Sequence, residues 1–321
     1  MHNLVLLAVL LAGSVLFACL SLRLRQVKEI SRWLGAGLTG VIAGVLFLTC
    51  VATSVGHYKQ YYSRRAPVPE LRVGGSDAQI QRGRPLPTVS AEAVIHRPGL
   101  SREAKIRQAS AGLSLGAFIS SNLTPAGPLK KWSDGQIFRA IRNGIDAEGR
   151  RLMIMTSRTN AGNLSDEDIR ALIAYIRRLP AAGAATPQPA EELNLLGLVM
   201  VGIGQFPSGK PVKIGVVTAP PKAPTIQYGE YILSYYDCRE CHGQQLTGGV
   251  QDQWAPVGPG LSLVADWSRE EFIATLRTGK DPSGHEFDEK MNWRTFGKMD
   301  DDELGAIYEY LTHMPDSESD R

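Results

Sequence analysis

The sequence predicts an all-α protein in which an N-terminal transmembrane helical hairpin precedes two related helical domains. Three observations predict it: two long uncharged apolar runs at the N-terminus, amphipathic helix patterns with capping residues further on, and a repeat of those patterns along the chain. The predicted hairpin covers residues 1–57, the first domain 71–180, a linker 181–223 and the second domain 224–315.

The two apolar runs cover residues 3–22 and 33–55, and each has about the 20 residues that a helix needs to cross the hydrocarbon core. The connecting segment, RLRQVKEISR, is strongly basic, and short basic loops stay in the cytoplasm. Both helices are therefore expected in a bacterial inner membrane. Everything after His57 is expected on the periplasmic side.

Two other interpretations of the first run stay open. It has the length of a cleaved signal peptide, but it lacks a basic start and its basic residues follow it. The tetrapeptide LFAC ending at Cys19 resembles a weak lipoprotein cleavage site. Lipidation there would make the second helix cross towards the cytoplasm and would leave the second domain on the cytoplasmic side.

Composition excludes two broad classes of protein and one class of partner. The chain is 21% charged and 7% aromatic, so it is neither disordered throughout nor a polytopic membrane protein. Its net charge of +3 is too small to suggest nucleic acid.

Beyond residue 70 the chain repeats itself. Residues 132–149 align with 267–284 at an offset of 135, and the same offset aligns 164–180 with 299–315. A second match, at an offset of 146, aligns IQRGRPL with IQYGEYI. Chance similarity does not hold register over such blocks, so we infer two homologous domains.

The last helix of each copy has a readable pattern. In the second copy Asp300 is a candidate cap with Glu303 three residues on, as in a capping box. One face is then expected to be buried. Its residues are Leu304, Ile307, Tyr308 and Leu311 in the second copy, and Ser165, Asp168, Ile169, Leu172, Ile173 and Ile176 in the first.

The linker between the copies is rich in proline and alanine. Within it the apolar run 193–204 is only 12 residues long, which is short for a membrane span. This run is therefore expected to pack across a domain or to lie at the membrane surface.

The second copy contains a C-x-x-C-H motif formed by Cys238, Cys241 and His242. Two thiols three residues apart lie on one helical turn, where each can add to a vinyl group of haem, and the following histidine is directed at the iron. A zinc site is the main alternative, but it would need more ligands, and only His285 and His313 follow the motif. The motif predicts one covalently attached haem c.

The segment CRECHG resembles the haem attachment site of class I cytochromes c. Met291, in KMNWRTFGKM, resembles the MPW segment of cytochrome c subunits of membrane dehydrogenases, which implies that it is the axial ligand opposite His242. This chain has Asn292 where that family has proline. GPGLS resembles the Gly-Pro-x-Leu element of the family, which implies that the carbonyl of Pro259 accepts a hydrogen bond from His242.

Alternatives for these residues stay open. Methionine is often a core residue, a role that fits Met299 and Met314 better than Met291, and His285 would make a bis-histidine site. Pro259 also fits an ordinary loop proline. With both axial positions of the iron filled, no vacancy would remain for oxygen or peroxide, and this favours an electron carrier over an enzyme.

The first copy departs from the pattern where haem would attach. Glu92 and Ile95 stand at the two cysteine positions, and His96 alone persists. Because no thioether can form without thiols, residues 71–180 are predicted to keep a cytochrome-like fold without haem, as a scaffold or docking surface. A noncovalent haem on His96 and Met155 is the alternative.

From about Tyr61 onward, through segments such as PVPEL, NLTP and RRLMIM, the chain resembles membrane-anchored dihaem-type proteins with two cytochrome c domains in tandem. The resemblance implies an electron carrier in a respiratory or photosynthetic chain. Its redox partners would be a dehydrogenase, a quinol-oxidising complex, an oxidase or a reaction centre. Two departures are the missing first haem motif and the two-helix anchor, which is expected to pack in a larger membrane complex. A peroxidase-like haem enzyme and a haem sensor or assembly subunit are the alternatives.

Overall fold

The computed structural model describes residues 2–24, 31–62, 65–83, 115–118, 121–153, 160–185, 191–205, 211–251, 253, 255–288 and 290–314. It is mostly helical, with 58% helix and 3% strand, which confirms the predicted all-α class. The α-helices are α1 (His2–Leu24), α2 (Ser31–Tyr61), α3 (Asp77–Gly83), α4 (Asp134–Asn143), α5 (Asp166–Arg178), α6 (Leu195–Gly202), α7 (Ile226–Tyr235), α8 (Cys238–His242), α9 (Arg269–Thr278), α10 (Trp293–Phe296) and α11 (Asp301–Thr312). Two short strands, β1 (Gly116–Phe118) and β2 (Glu191–Leu193), pair antiparallel.

Helices α1 and α2 pack against each other as the N-terminal hairpin. Each contains a segment that is long and apolar enough to cross a membrane, Leu7–Leu24 and Trp33–Tyr61, with mean hydropathy of 2.2 and 2.1. Helix α2 continues to Tyr61, past the predicted end at residue 55. It does so because its last turns pack against other parts of the chain. Gln60, for example, is buried there and donates to the carbonyl of Arg151 at 3.0 Å.

The middle helix of each copy of the repeat, α4 in the first and α9 in the second, begins and ends in the same way. Both begin with a serine capping box, and both end at a glycine with left-handed φ, Gly144 at 61° and Gly279 at 73°. The antiparallel bridges that follow are also 135 residues apart: Ile145–Arg151 and Lys280–Glu286. The aligned sequences therefore adopt the same local structure.

The last helix of each copy, α5 or α11, carries the buried face that the sequence predicts. Asp300 and Glu303 form the capping box of α11, which confirms that prediction. The buried residues of these faces are Ser165, Asp168, Ile169, Leu172, Ile173 and Ile176 in α5 with its cap, and Leu304, Ile307 and Leu311 in α11, where Tyr308 is half-buried. These side chains form much of the core.

A glycine lets the first helix of each copy cross the last helix at very short range. A Cβ on Gly83 of α3 would lie 2.0 Å from the carbonyl oxygen of Ala171 in α5. A Cβ on Gly229 of α7 would lie 2.0 Å from the carbonyl oxygen of Ala306 in α11. Any other residue would clash with backbone, so both crossings require glycine.

An arginine of the middle helix, buried in the first copy and exposed in the second, ties each copy to the start of its last helix. Arg142 and Arg277 each donate to two carbonyl oxygens and one carboxylate. The acceptors of Arg142 are Gly162, Leu164 and Asp166 at 2.7, 2.6 and 2.7 Å, and those of Arg277 are Gly297, Met299 and Asp301 at 3.1, 3.2 and 2.6 Å. Each acceptor is again displaced by 135 residues.

The two copies share one hydrophobic core, in which α7 packs beside the start of α5. The hydroxyl of Tyr231 donates to the carboxylate of Asp168 and accepts from the backbone N–H of Ser165 at 2.8 Å. Arg82 pairs with the other oxygen of Asp168 at 2.7 Å. Buried polar contacts therefore join the copies in addition to apolar packing.

The predicted linker 181–223 contains structure of its own. Strand β2 pairs with β1, and the side chain of Asn194 caps the start of α6. Helix α6 packs against α2, and its Gly197 also lies against the backbone of Leu115 in the first domain. A small second core forms at this junction from Met153, Leu193, Leu198 and Val201, with Tyr61 packed against it.

Candidate haem-binding site

The C-x-x-C-H motif forms the short helix α8, which follows α7 after two residues. The helical spacing places Cys238 and Cys241 on one turn, with both thiols free and both residues half-buried. Cys238 packs against the shared core, whereas Cys241 is tied to the following loop through its carbonyl, which accepts from the backbone of Gly258 at 2.8 Å. The motif therefore lies between the core and one loop.

Burial raises the pKa of the Cys238 thiol to about 12, and the neighbouring carboxylate of Asp237 adds to the shift. Burial also raises the pKa of Cys241, with smaller contributions from Glu240 and Asp237. Both sulfurs are therefore protonated at neutral pH.

His242 is buried, and the loop around Pro259 holds its ring in place. The ring Nδ1 lies 2.8 Å from the carbonyl oxygen of Pro259. Because a carbonyl only accepts, Nδ1 carries the hydrogen and the lone pair of Nε2 is available to a metal. The structure thus brings together the two residues that the resemblance pairs.

Gly258 is a site residue that sequence reasoning missed. A Cβ at this position would lie 2.7 Å from Nδ1 and 2.8 Å from Cε1 of His242, so only glycine allows the loop to lie against the imidazole. Gln253 was also missed, and its side chain donates to the carbonyls of Cys241 and Pro256 at 3.1 and 2.8 Å. The sequence signal for Gly258 is its place directly before Pro259, but the contact joins residues far apart in the chain.

Met291 is half-buried and packs against the same core as Cys238. It lies in a turn, where its N–H donates to Asp288 at 2.9 Å and its carbonyl accepts from Trp293 at 2.8 Å. Asn292, at the position where the resembled family has proline, accepts from the hydroxyl of Thr295 at 2.8 Å. A polar turn therefore leads Met291 into helix α10.

The other candidates for an axial ligand lie in different settings. Met299 is buried in the core, which confirms its predicted packing role. Met314 is half-buried against the same core. His285 is exposed, and its backbone N–H donates to Asp281 at 2.9 Å in a surface turn.

The chemistry of these donors fits a haem better than a single metal ion. Within the described part of the chain, no three His, Cys, Asp or Glu side chains converge as a metal-binding group. Cys238, Cys241 and His242 therefore form no such group, although they share one short helix. Thioether bonds to a ring and an imidazole directed at its iron do not need a single shared metal atom.

The positions that distinguish the first copy lie outside the described residues. They are Glu92, Ile95, His96, Met155 and Thr156. Trp254, which is expected beside the ring, also lies outside them, whereas Trp267 and Trp293 are half-buried.

Residues 224–311 match the family model described as cytochrome c oxidase, cbb3-type, subunit III. The second copy is similar to a c-type cytochrome domain. This match covers the core helices of the second copy and includes the motif helix α8, Pro259 and Met291. It supports haem c as the cofactor.

Three curated proteins are also similar to parts of this chain. One subunit of the nicotinate dehydrogenase of Pseudomonas putida is 25% identical over 278 residues, covering 78% of this chain and 22% of the relative. The cytochrome c subunit of a quinone alcohol dehydrogenase of Gluconobacter oxydans is 28% identical over 101 residues, covering 27% of this chain and 21% of the relative. The fructose dehydrogenase cytochrome subunit of Gluconobacter japonicus is 22% identical over 281 residues, covering 78% of this chain and 56% of the relative.

The chain therefore spans between about a fifth and just over half of the length of these relatives. Two of the three are cytochrome subunits, and all three names belong to dehydrogenases. Together with the family match, they support an electron-transfer cytochrome subunit.

Proposed function

We propose that this chain is a membrane-anchored cytochrome c subunit with one haem, which accepts electrons from a periplasmic dehydrogenase and passes them to a respiratory partner. The observation that carries the proposal is the geometry of the C-x-x-C-H helix. Nδ1 of His242 is hydrogen-bonded to the carbonyl of Pro259, so Nε2 is available to bind iron. The dehydrogenase partner is inferred from the names of the three relatives.

In this proposal Cys238 and Cys241 would hold the haem through thioether bonds, and His242 and Met291 would be the residues that bind its iron. The bound haem supplies reversible one-electron transfer. The carbonyl of Pro259 fixes the imidazole, and the absence of a side chain at Gly258 lets the loop lie against the ring. A thioether ligand favours ferrous iron, so Met291 would raise the reduction potential.

Residues 71–180 serve in this proposal as a second cytochrome-like domain without haem. Support comes from the shared local structure: the glycine crossings at Gly83 and Gly229 and the hydrogen bonds of Arg142 and Arg277 recur at equivalent positions. The buried contact between Tyr231 and Asp168 gives this domain a structural role beside the haem domain.

The hairpin anchors the protein in the inner membrane with both cytochrome-like domains in the periplasm. The two apolar helices and the basic segment between them support this orientation. A covalent haem c requires attachment on the same side, so the topology and the cofactor agree.

Covalent attachment is tested by denaturing the full-length protein purified from membranes and measuring haem and polypeptide in the same sample. We expect one haem per chain, which acid extraction does not remove. The variant with Cys238→Ala and Cys241→Ala should lose all covalent haem. The matched variant with Cys19→Ala and Cys50→Ala should keep it. A ratio near two would overturn the single haem, and complete loss on extraction would overturn the attachment.

The axial role of Met291 is tested with the ferric protein. Met291→Ala should abolish the sulfur-to-iron charge-transfer absorption and lower the reduction potential, because a neutral soft ligand is lost. The control Met299→Leu changes a buried core methionine and should preserve both properties. The opposite pattern would move the ligand to Met299.

A further inference from the structure

Helix α6 is apolar on every side, yet the protein covers only part of it. Gly197, Leu198 and Val201 are buried against the rest of the chain. A partly exposed stripe lies elsewhere on its surface at the i, i+3, i+4, i+7 spacing of a helix face: Leu196, Val199, Met200 and Ile203. The first three are half-buried, and Ile203 is 58% exposed. A helix without a polar face belongs in a protein core or in lipid.

The contacts of α6 with α2 fix its direction. A Cβ on Gly56 would lie 1.9 Å from the carbonyl oxygen of Leu198, and a Cβ on Gly202 would lie 1.9 Å from that of Ala52. Since later residues of α6 meet earlier residues of α2, the two helices run in opposite directions. The small residues allow backbones to touch, as in helix pairs within membranes. Helix α6 therefore points back along the apolar span of α2.

The depth of its end can be estimated from α2. Lys59 and the exposed rings of Tyr58 and Tyr62, each 60% exposed, mark where α2 leaves the apolar zone. Ala52 lies seven residues closer to the membrane centre than Lys59, which is about 10 Å along a helix. The headgroup layer on each side is only about 5–8 Å thick. Gly202 and Ile203 therefore reach the hydrocarbon boundary.

The backbone carbonyls at the C-terminal end of α6 have hydrogen-bond partners within the protein, as this depth requires. The last carbonyls of a helix lack partners within the helix, and leaving them bare in lipid is costly. Lys59 of α2 extends its ammonium group to the carbonyls of Val201 and Gly202, at 3.4 and 3.2 Å. Water is thus not needed to solvate the end of α6.

We propose that α6 is a third membrane-contacting element, a short half-helix whose stripe runs from the headgroup layer of the outer leaflet at Leu196 to the start of the lipid acyl chains at Ile203. The occupant is lipid because the stripe continues the apolar surface of α2, where Leu48 and Val51 are 66% and 44% exposed. The inference rests on the proposed membrane anchoring. Its consequence is that the linker holds the cytochrome domains close to the bilayer surface instead of leaving them on a flexible tether.

The test places a nitroxide label at Ile203→Cys in the full-length protein, in a background with Cys19→Ala and Cys50→Ala, reconstituted in phospholipid vesicles. Collisions with oxygen, which concentrates in lipid, are compared with collisions with a water-soluble nickel chelate. Val45→Cys on α2 and Glu192→Cys on β2, both exposed positions, are the lipid and water references. The background protein without a new cysteine measures labelling elsewhere.

At position 203 the chelate is expected to lose its access to the label, as at 45 and unlike at 192. A label at 203 that the chelate reaches as at 192, with 45 in lipid, would overturn the inference and leave the anchoring intact. A label at 203 shielded from both reagents would also overturn it, because protein would then cover the stripe. A water-accessible label at 45 would refute the anchoring and the inference together.

Discussion

The two copies of the repeat differ in chemistry more than in framework. Each has a capped middle helix that ends at a left-handed glycine, and each has a last helix crossed at a glycine by the first. Only the second copy has the two thiols of the C-x-x-C-H motif, whereas the first keeps only His96 at the histidine position. The framework therefore depends on contacts that are separate from the residues proposed to hold haem, so one set can be lost without the other.

The copies also differ in how deeply the same contacts are buried. The side chain of Arg142 is 2% exposed and that of its partner Asp166 is 13% exposed, whereas Arg277 and Asp301 are 42% and 73% exposed. The linker accounts for the difference, because the carbonyl of Val217 accepts from the backbone N–H of Asp166, and the N–H of Val217 donates to the carboxylate of Asp166. The linker after the first copy therefore shields the ion pair between Arg142 and Asp166 from water.

The largest expected difference in stability is between variants of Arg142 and of Arg277. Arg142→Met should lower the free energy of unfolding by about 3–5 kcal/mol, because it removes a buried guanidinium from two carbonyls and from the carboxylate of Asp166. Arg277→Met should cost about 1 kcal/mol or less, because its ion pair is open to water. Denaturant titration of the detergent-solubilised proteins measures both. Equal losses would show that burial does not distinguish the copies.

The glycine crossings test whether the copies are equivalent. Gly83→Ala and Gly229→Ala should each cost about 1–3 kcal/mol, because the new methyl group meets a backbone oxygen and the helices must separate. Gly74→Ala is the control, since no atom lies within 4 Å of its Cβ position. Thermal denaturation gives the comparison. A loss for Gly229→Ala alone would mean that the first copy does not depend on its crossing.

A smaller effect is expected where the copies meet. Tyr231→Phe removes the hydroxyl that bridges Asp168 and Ser165, and should cost about 1–2 kcal/mol. Tyr308→Phe is the control, because its hydroxyl donates to Trp267 within the second copy.

Of these two variants, only Tyr231→Phe should also make the two copies unfold in separate transitions. Haem absorbance measures unfolding of the second copy, and limited proteolysis measures unfolding of the first. Unfolding that stays coincident in this variant would place the coupling in the apolar core.

Local patterns explain why much of the fold could be predicted. The apolar runs of the hairpin, the capping residues Asp300 and Glu303 and the buried faces of α5 and α11 each depend on residues a few positions apart. Helix and strand bounds were less predictable. Helix α2 extends beyond its apolar run because residues distant in sequence pack against its last turns.

The candidate site divides in the same way. Cys238, Cys241 and His242 stand out from spacing alone, whereas the pairing of His242 with Pro259 came from family resemblance and Gly258 from the coordinates alone. The contact between Gly258 and the imidazole depends on how a loop returns to α8, which no local pattern records.

The helical class, the repeat and the position of the C-x-x-C-H motif follow from the amino-acid sequence alone, because they depend on periodicity and spacing along the chain. The tertiary structure was needed to show that the linker forms a helix against α2 and that the linker shields Arg142 from water. It was also needed to show that the copies are joined through Tyr231. The physical reason is that backbone contact at glycine and burial of charge arise between residues distant in sequence.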